Sequence, residues 1–392
     1  MKNWTVLILF LSLAGCVTAP TVQNHDHASY FNDSLFIAPS EPFDPKTIFA
    51  MSDEMRAYLN RELGGLARGS DRRHALFEAL YSRQQLKLEY DSTMTRNAAQ
   101  AFADRTGNCL SLVILTASFA KELGLPVQYQ NVFSNQSISR INDTIYVSGH
   151  VNLALNEHQP VGKLVNTRDQ PVTIDFLPPK DTSGQHARVI REATIVAMYL
   201  NNRAAETLSD GKLDAAYFWA RDAIQQDPTF LGAYNTLAVI YIRHGNLHEA
   251  ERILEDIIAL EPGDTSPIAN LIAVLNTLGR TDEARAWSDK LHAIQQFPPF
   301  YFFDLGMAAM QAHDYPKARD MFAKEVDRAA YYHEFHAWLA AAYVELGDYV
   351  QARKQLAIAI ENSTTPANHD LYVQRLAAIT PDKATGRMPG AH

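Results

Sequence analysis

The sequence predicts an α+β domain followed by an all-α solenoid of helical repeats. Two observations carry that expectation. One is a 34-residue register through the second half of the chain, and the other is a change from helical to extended apolar patterning between residues 45 and 194. At 392 residues the chain is long for one domain, and two or three are expected. Hydrophobic residues make up 47% and charged ones 20%, the balance of a folded chain. A formal net charge of -9 argues against a nucleic-acid partner, whose phosphates need clustered Lys and Arg, and against an electrostatic grip on anionic lipid.

Lys2 precedes an apolar run from Val6 to Leu13 that is too short to span a bilayer core of ~30 Å, so residues 1–15 read as a signal peptide. Leu13-Ala14-Gly15-Cys16 comes next and resembles the lipobox of bacterial lipoproteins. That resemblance implies cleavage before Cys16 and lipid on its thiol. With Val17 rather than Asp next, it also implies an outer-membrane location facing the periplasm. The membrane is then a partner through the lipid anchor alone. Residues 16–44, rich in Asn, Asp, Ser, Pro and His, are expected to be a tether. His25 and His27 flank Asp26 within it and read as solvated histidines rather than a metal site. Of the two cysteines, Cys109 has no partner within the chain once Cys16 is lipidated, which marks it as a candidate reactive thiol.

Between residues 45 and 194, helices are expected from Ser52 to Arg68 and from Ser70 to Gln84, each opened by a capping Ser followed by Asp. A third runs from a capping Thr95 to about Asp104. Arg105-Thr106-Gly107-Asn108-Cys109 then leads into an apolar helix through Phe119 to Leu123, which Gly124-Leu125-Pro126 stops. Beyond it the signal is extended, over Gln128 to Phe133, Ile145 to Leu155 and Val172 to Phe176.

The second half keeps one grid. Gly211, Gly245, Gly279 and Gly347 share a 34-residue spacing, and His313 fills the vacant node. Five residues after each node stand Ala216, Ala250, Ala284, Ala318 and Ala352. Eight before each stand Arg203, Leu237, Leu271, Leu305 and Leu339, and seven before stand Ala204, Ala238, Ile272, Gly306 and Ala340. Small residues let antiparallel helices approach, glycine supplies a left-handed turn, and Pro228 and Pro262 end helices. The pattern resembles tetratricopeptide repeats, with Tyr234, Leu237, Ala238, Tyr241, Ala250, Leu254 and Pro262 in register. Five repeats are expected over residues 197–362, with a capping helix and tail over 363–392. The resemblance implies a peptide or protein partner. Trp219, Phe300, Tyr301, Phe302, Phe303, Tyr331 and Tyr332 are read as core residues ahead of a binding face.

In the middle segment, Gly107-x-Cys109, Leu123-Gly124-Leu125-Pro126, Gly149-His150-Val151 and Ile174-Asp175-Phe176 together resemble the transglutaminase-like superfamily of papain-type thiol enzymes. The resemblance covers about 150 residues, over 45–194. It implies a triad of Cys109, His150 and Asp175. A Cys at a helix N-terminus feels the positive end of the helix dipole, and a neighbouring imidazolium stabilises its thiolate. His150 would move the proton, and Asp175 would fix its tautomer. Gly107 is expected to turn the backbone sharply into the helix. The Cys109 backbone N–H is an oxyanion donor in this reading, and the second donor is not legible. His158, in the loop-like Asn156-Glu157-His158-Gln159-Pro160, ranks below His150.

The implied reaction is acyl transfer from an amide through a Cys thioester, by a cysteine peptidase or amidase if water resolves it and by a transamidase if an amine does. Abundant periplasmic water favours hydrolysis. The substrate class is a peptide, a protein segment or the peptide part of the cell wall. No cofactor or metal is implied, since no phosphate-cradling loop or clustered ligands occur in the sequence. Some relatives in the superfamily have lost activity. The second expectation is therefore an inert tethered scaffold whose repeats recruit an envelope protein.

Overall fold

A computed structural model describes residues 27–65, 71–81, 86, 88–91, 94–141, 144–156, 170–176 and 186–379. The expected leader, Cys16, His25, His158 and the tail from 380 lie outside these residues. Three short 3-10 turns, His27–Tyr30, Asp33–Leu35 and Pro45–Ile48, lead into α1 (Asp53–Leu63) and α2 (Arg72–Tyr81). The two-residue strands β1 (Glu89–Tyr90) and β2 (Thr106–Gly107) flank α3 (Ala98–Asp104), and α4 (Cys109–Glu122) comes after them. Next come β3 (Val127–Ile141), β4 (Thr144–Leu155), β5 (Val172–Ile174) and β6 (His186–Ile190).

Local chemistry sets these boundaries. The Ser52 hydroxyl accepts the Met55 N–H and caps α1 as expected, but the helix stops at Leu63, where Gly64 and Gly65 stand instead of further helix formers. Thr95 does not cap α3. Asn97 does, in a reciprocal capping box with Gln100. The sheet runs in the order β5-β4-β3-β6, every pair antiparallel. Strand β6 went unread in the sequence because Ala187, Arg188 and Val189 are exposed and carry no buried stripe. Helix α4 is buried from Leu110 to Ala120 almost all round, as the central helix of this half.

The second half is a run of antiparallel helix pairs: α5 (Glu192–Ser209) with α6 (Leu213–Gln226), α7 (Leu231–His244) with α8 (Leu247–Leu260), α9 (Thr265–Thr277) with α10 (Thr281–Ile294), α11 (Tyr301–Gln311) with α12 (Tyr315–Arg328), and α13 (His333–Glu345) with α14 (Tyr349–Glu361). Helix α15 (Pro366–Ala378), capped by Thr365, closes the run with Tyr372 buried. One apolar cluster extends from Tyr30 through the middle segment and into the helix pairs as far as Ala284. Two further clusters hold residues 300–342 and 337–379. Among the described residues no helix is long and apolar enough to cross a membrane.

Candidate functional site

Cys109 occupies the first residue of α4 and is partly buried. Asn108 caps that helix: its side-chain oxygen accepts the Ser111 N–H and the Ser111 hydroxyl, both at 2.9 Å. Its amide donates to the Thr95 hydroxyl at 2.9 Å. Thr95 thus supports the cap of the thiol helix rather than that of α3. Gly107 has a role other than the sharp turn expected. A Cβ there would lie 2.7 Å from the Ser111 Cβ, so the residue is small to let β2 lie against the first turn of α4. The Ser111 hydroxyl accepts the Arg96 N–H at 2.8 Å, which ties the segment before α3 to the same turn.

Strand β4 brings His150 to this helix, and its place is fixed by register. His150 pairs with Val132 of β3, and Leu153 pairs with Ile174 of β5. Continuing that antiparallel pairing sets Asp175, just past the end of β5, across from Asn152. The structure brings the three expected residues together. The His150 Nε2–H donates to Asp175 Oδ1 at 2.7 Å, and the Cys109 side chain lies close enough to His150 to act on its charge. With Nε2 committed to Asp175, the nitrogen left for the sulfur is Nδ1. His150 is 4% exposed. That burial lowers its pKa, but the hydrogen bond to Asp175 and the neighbouring Cys109 outweigh it and raise the value to about 9.

Two residues that the sequence reading missed complete the surroundings. Asn152 Nδ2 donates to Asp175 Oδ2 at 2.8 Å, so both carboxylate oxygens are held. Its signal was available, because residues i and i+2 of a strand share a face and Asn152 stands two after His150. Tyr90 ends β1, which pairs in parallel with β2 so that Tyr90 lies opposite Gly107. Burial, with the nearby Cys109 and Asp91, holds its phenol well above the ordinary range. A two-residue strand leaves no periodic trace, so nothing in the sequence pointed to it. Helix α5 reaches the same region, with Asn202 donating to the Thr95 hydroxyl at 3.1 Å and Glu206 accepting the Thr95 N–H at 2.6 Å. Among the described residues no group of three or more His, Cys, Asp or Glu could hold a metal ion.

The helix pairs answer the 34-residue grid closely. Gly211, Gly245, Gly279 and Gly347 all have positive φ, and His313 adopts φ 58° at the fifth node. Ala216, Ala250, Ala318 and Ala352 are fully buried, and Ala284 nearly so. Residues 207–275 match one tetratricopeptide-repeat family profile, and residues 269–290 and 333–357 match a second. The C-terminal part is a tetratricopeptide-repeat solenoid. Both profiles leave residues 1–206 uncovered, and no curated protein matches the chain. Among solved structures, TTC0263, a thermophilic TPR protein in Thermus thermophilus, is 16% identical, with 47% of this chain and 98% of that one covered at a TM-score of 0.28. Pseudomonas aeruginosa pilF is 19% identical, covering 50% and 90% at 0.28. YrrB, described as a TPR protein with an unusual peptide-binding site, is 18% identical, covering 46% and 92% at 0.25. Scores and identities this low add nothing to the repeat profiles and the grid, on which the assignment rests.

The described part of the expected tether lies against these tetratricopeptide repeats. The Tyr30 hydroxyl donates to Asp256 at 2.6 Å, the Tyr217 hydroxyl donates to Asp33 at 2.7 Å, and Arg221 pairs with Asp33 at 2.8 Å. The Phe36 ring stacks on Tyr217 with centroids 3.9 Å apart, and Phe43 meets Trp219. Composition hid this seat, because the anchoring aromatics are few and widely spaced among polar residues.

Proposed function

We propose that this chain is a lipid-anchored thiol enzyme of the transglutaminase-like kind in the bacterial cell envelope. It forms a thioester between Cys109 and an acyl group taken from a peptide or protein amide, and its repeats hold the substrate or a protein partner. The observation behind the reading is that His150, bonded to Asp175 at 2.7 Å, stands beside Cys109 at the mouth of a buried helix. His150 takes the thiol proton, and the thiolate adds to the amide carbonyl carbon. The imidazolium then gives its proton to the departing amine nitrogen as the C–N bond breaks. Water, deprotonated by His150, attacks the thioester and releases a carboxylic acid. An amine in place of water gives a new amide instead. Asp175, held by Asn152, keeps the ring oriented throughout.

A second reading has an observation of its own. Tetratricopeptide repeats are protein-interaction modules, and they are the part of the chain that family profiles match. In that reading the thiol half is inert and the molecule is a tethered scaffold. One experiment separates the two. The full chain is expressed with its leader and recovered from the envelope in the presence of dansylcadaverine, an amine that intercepts thioesters. Mass spectrometry then reads lipid on Cys16 and dansylated acyl products. The enzyme reading expects a lipidated N-terminal peptide and labelling that disappears in Cys109→Ala. Equal labelling by wild type and Cys109→Ala would favour the scaffold, and an unlipidated Cys16 would remove the anchor.

A further inference from the structure

A segment that belongs to a core usually joins it by helix packing or strand pairing. The segment from Ser29 to Ile37 does neither. Short 3-10 turns are its only regular structure, and Asp33, Ser34 and residues 37–42 stay exposed. Side chains of the repeats hold its backbone instead, one group at a time. The Tyr241 hydroxyl donates to the Tyr30 carbonyl at 2.8 Å, and Arg252 donates to the Ser29 carbonyl at 2.6 Å. The Tyr217 hydroxyl accepts the Asn32 N–H at 2.8 Å, and the Asp214 carboxylate accepts the Ile37 N–H at 3.0 Å. Proteins hold bound peptides in this way: main-chain bonds supply affinity, and seats for chosen side chains supply specificity.

Three side chains of the segment have such seats. Phe36 is buried, lying flat on Tyr217 and 4.8 Å from the His244 ring. Tyr30 is buried too, with the Arg252 guanidinium 5.0 Å from its ring centroid and its hydroxyl on Asp256. Between the two rings, the Asp33 carboxylate takes one bond from the Tyr217 hydroxyl at 2.7 Å and another from Arg221 at 2.8 Å. The seats lie on α6 and α8, the second helices of consecutive pairs, and at the C-terminal end of α7. We propose that this surface is a recognition site for an extended peptide with a carboxylate three residues from an aromatic on each side, and that Tyr30, Asp33 and Phe36 fill it as an internal ligand. A partner protein presenting such a segment binds by displacing them, which frees the chain's own segment from the repeats. The proposal rests on the reading that the repeats hold a partner, and not on the chemistry of Cys109.

The test opens the site without removing any of it. A site-specific protease sequence is inserted between Ser40 and Glu41, within the exposed stretch, and the full chain is cut there and passed through a sizing column. The probe is a fluorescent peptide of residues 27–40, followed by anisotropy. In the uncut chain the tethered segment competes at high effective concentration, so the cut chain should bind the probe at least about tenfold more tightly. Arg221→Ala in the cut chain, and Asp33→Ala in the peptide, should each weaken binding by roughly tenfold or more. Equal binding by cut and uncut chains would overturn the proposal. So would a cut chain that no longer melts cooperatively, since the segment would then be part of the core. Binding indifferent to both Arg221→Ala and Asp33→Ala would place the peptide elsewhere, overturning this site and leaving the partner reading standing. No binding by a cut chain that still melts cooperatively would count against both.

Discussion

At the scale of single residues, His150 shows which of two opposed effects wins. Burial alone would discharge an imidazole, yet the hydrogen bond to Asp175 and the neighbouring Cys109 lift its pKa from 6.5 to about 9. A base whose folded pKa is raised stabilises the fold fully below the unfolded value and loses that contribution as pH rises through the folded one. The melting-temperature gap between wild type and His150→Gln should thus be widest near pH 6 and narrow between about pH 6.5 and 9, as scanning calorimetry over that window would record. A gap that widens with rising pH would mean the ring is held neutral. Cys109, His150 and Asp175 were legible because each residue type falls at an element position that its chemistry requires. Asn152 was half legible: two after His150 it shares a strand face, but an amide serves equally well as a core residue until its neighbours are known.

Among the secondary-structure elements, the repeat grid was legible at its nodes and misleading at one position. A left-handed backbone at five equally spaced turns needs glycine, and only His313 departs from it. Its Nδ1 meets the Tyr315 hydroxyl at 2.8 Å on an exposed surface, a small compensation for an unfavourable conformation. His313→Gly should therefore stabilise the protein by roughly 0.5–1 kcal/mol, read as a higher midpoint in urea, and a lower midpoint would show that the His–Tyr contact outweighs the backbone strain. Leu305 is the misleading position. Leu237, Leu271 and Leu339 at the same register are buried, but Leu305 is 37% exposed. The cause lies just upstream, where Phe297-Pro298-Pro299-Phe300 replaces the short Pro-ended turn. Phe300 adopts φ 66°, and Arg328 holds the Phe297 carbonyl at 2.8 Å. The apolar cluster ends at Ala284 and a new one starts at Phe300, so α11 packs onto α12 and α13 rather than back onto α10. Periodicity records register and is silent about which neighbour covers a face.

Across the whole molecule, the α+β half and the first repeats share one core, and α5 belongs to both. Helix α5 carries the first repeat through Ala204, and it reaches the cap of the thiol helix through Asn202, Glu206 and Thr95. The segment from His27 to Phe43 is fastened across α6, α7 and α8, which sets the N-terminal side of the chain on the repeats. Such long-range contacts leave no local pattern, which is why sequence periodicity drew a boundary near residue 195 that the buried cluster crosses. The central claim is that Cys109 is a working nucleophile sustained by His150. Its most direct test is the pH dependence of iodoacetamide alkylation of the full chain, for wild type and His150→Ala, between about pH 5 and 10. An ordinary thiol, with a pKa near 8.5, is almost wholly protonated at pH 6. The account predicts substantial alkylation of wild-type Cys109 at pH 6 and its loss in His150→Ala, with the fold retained. Alkylation that rises only toward pH 8 to 9 in both proteins alike would contradict it.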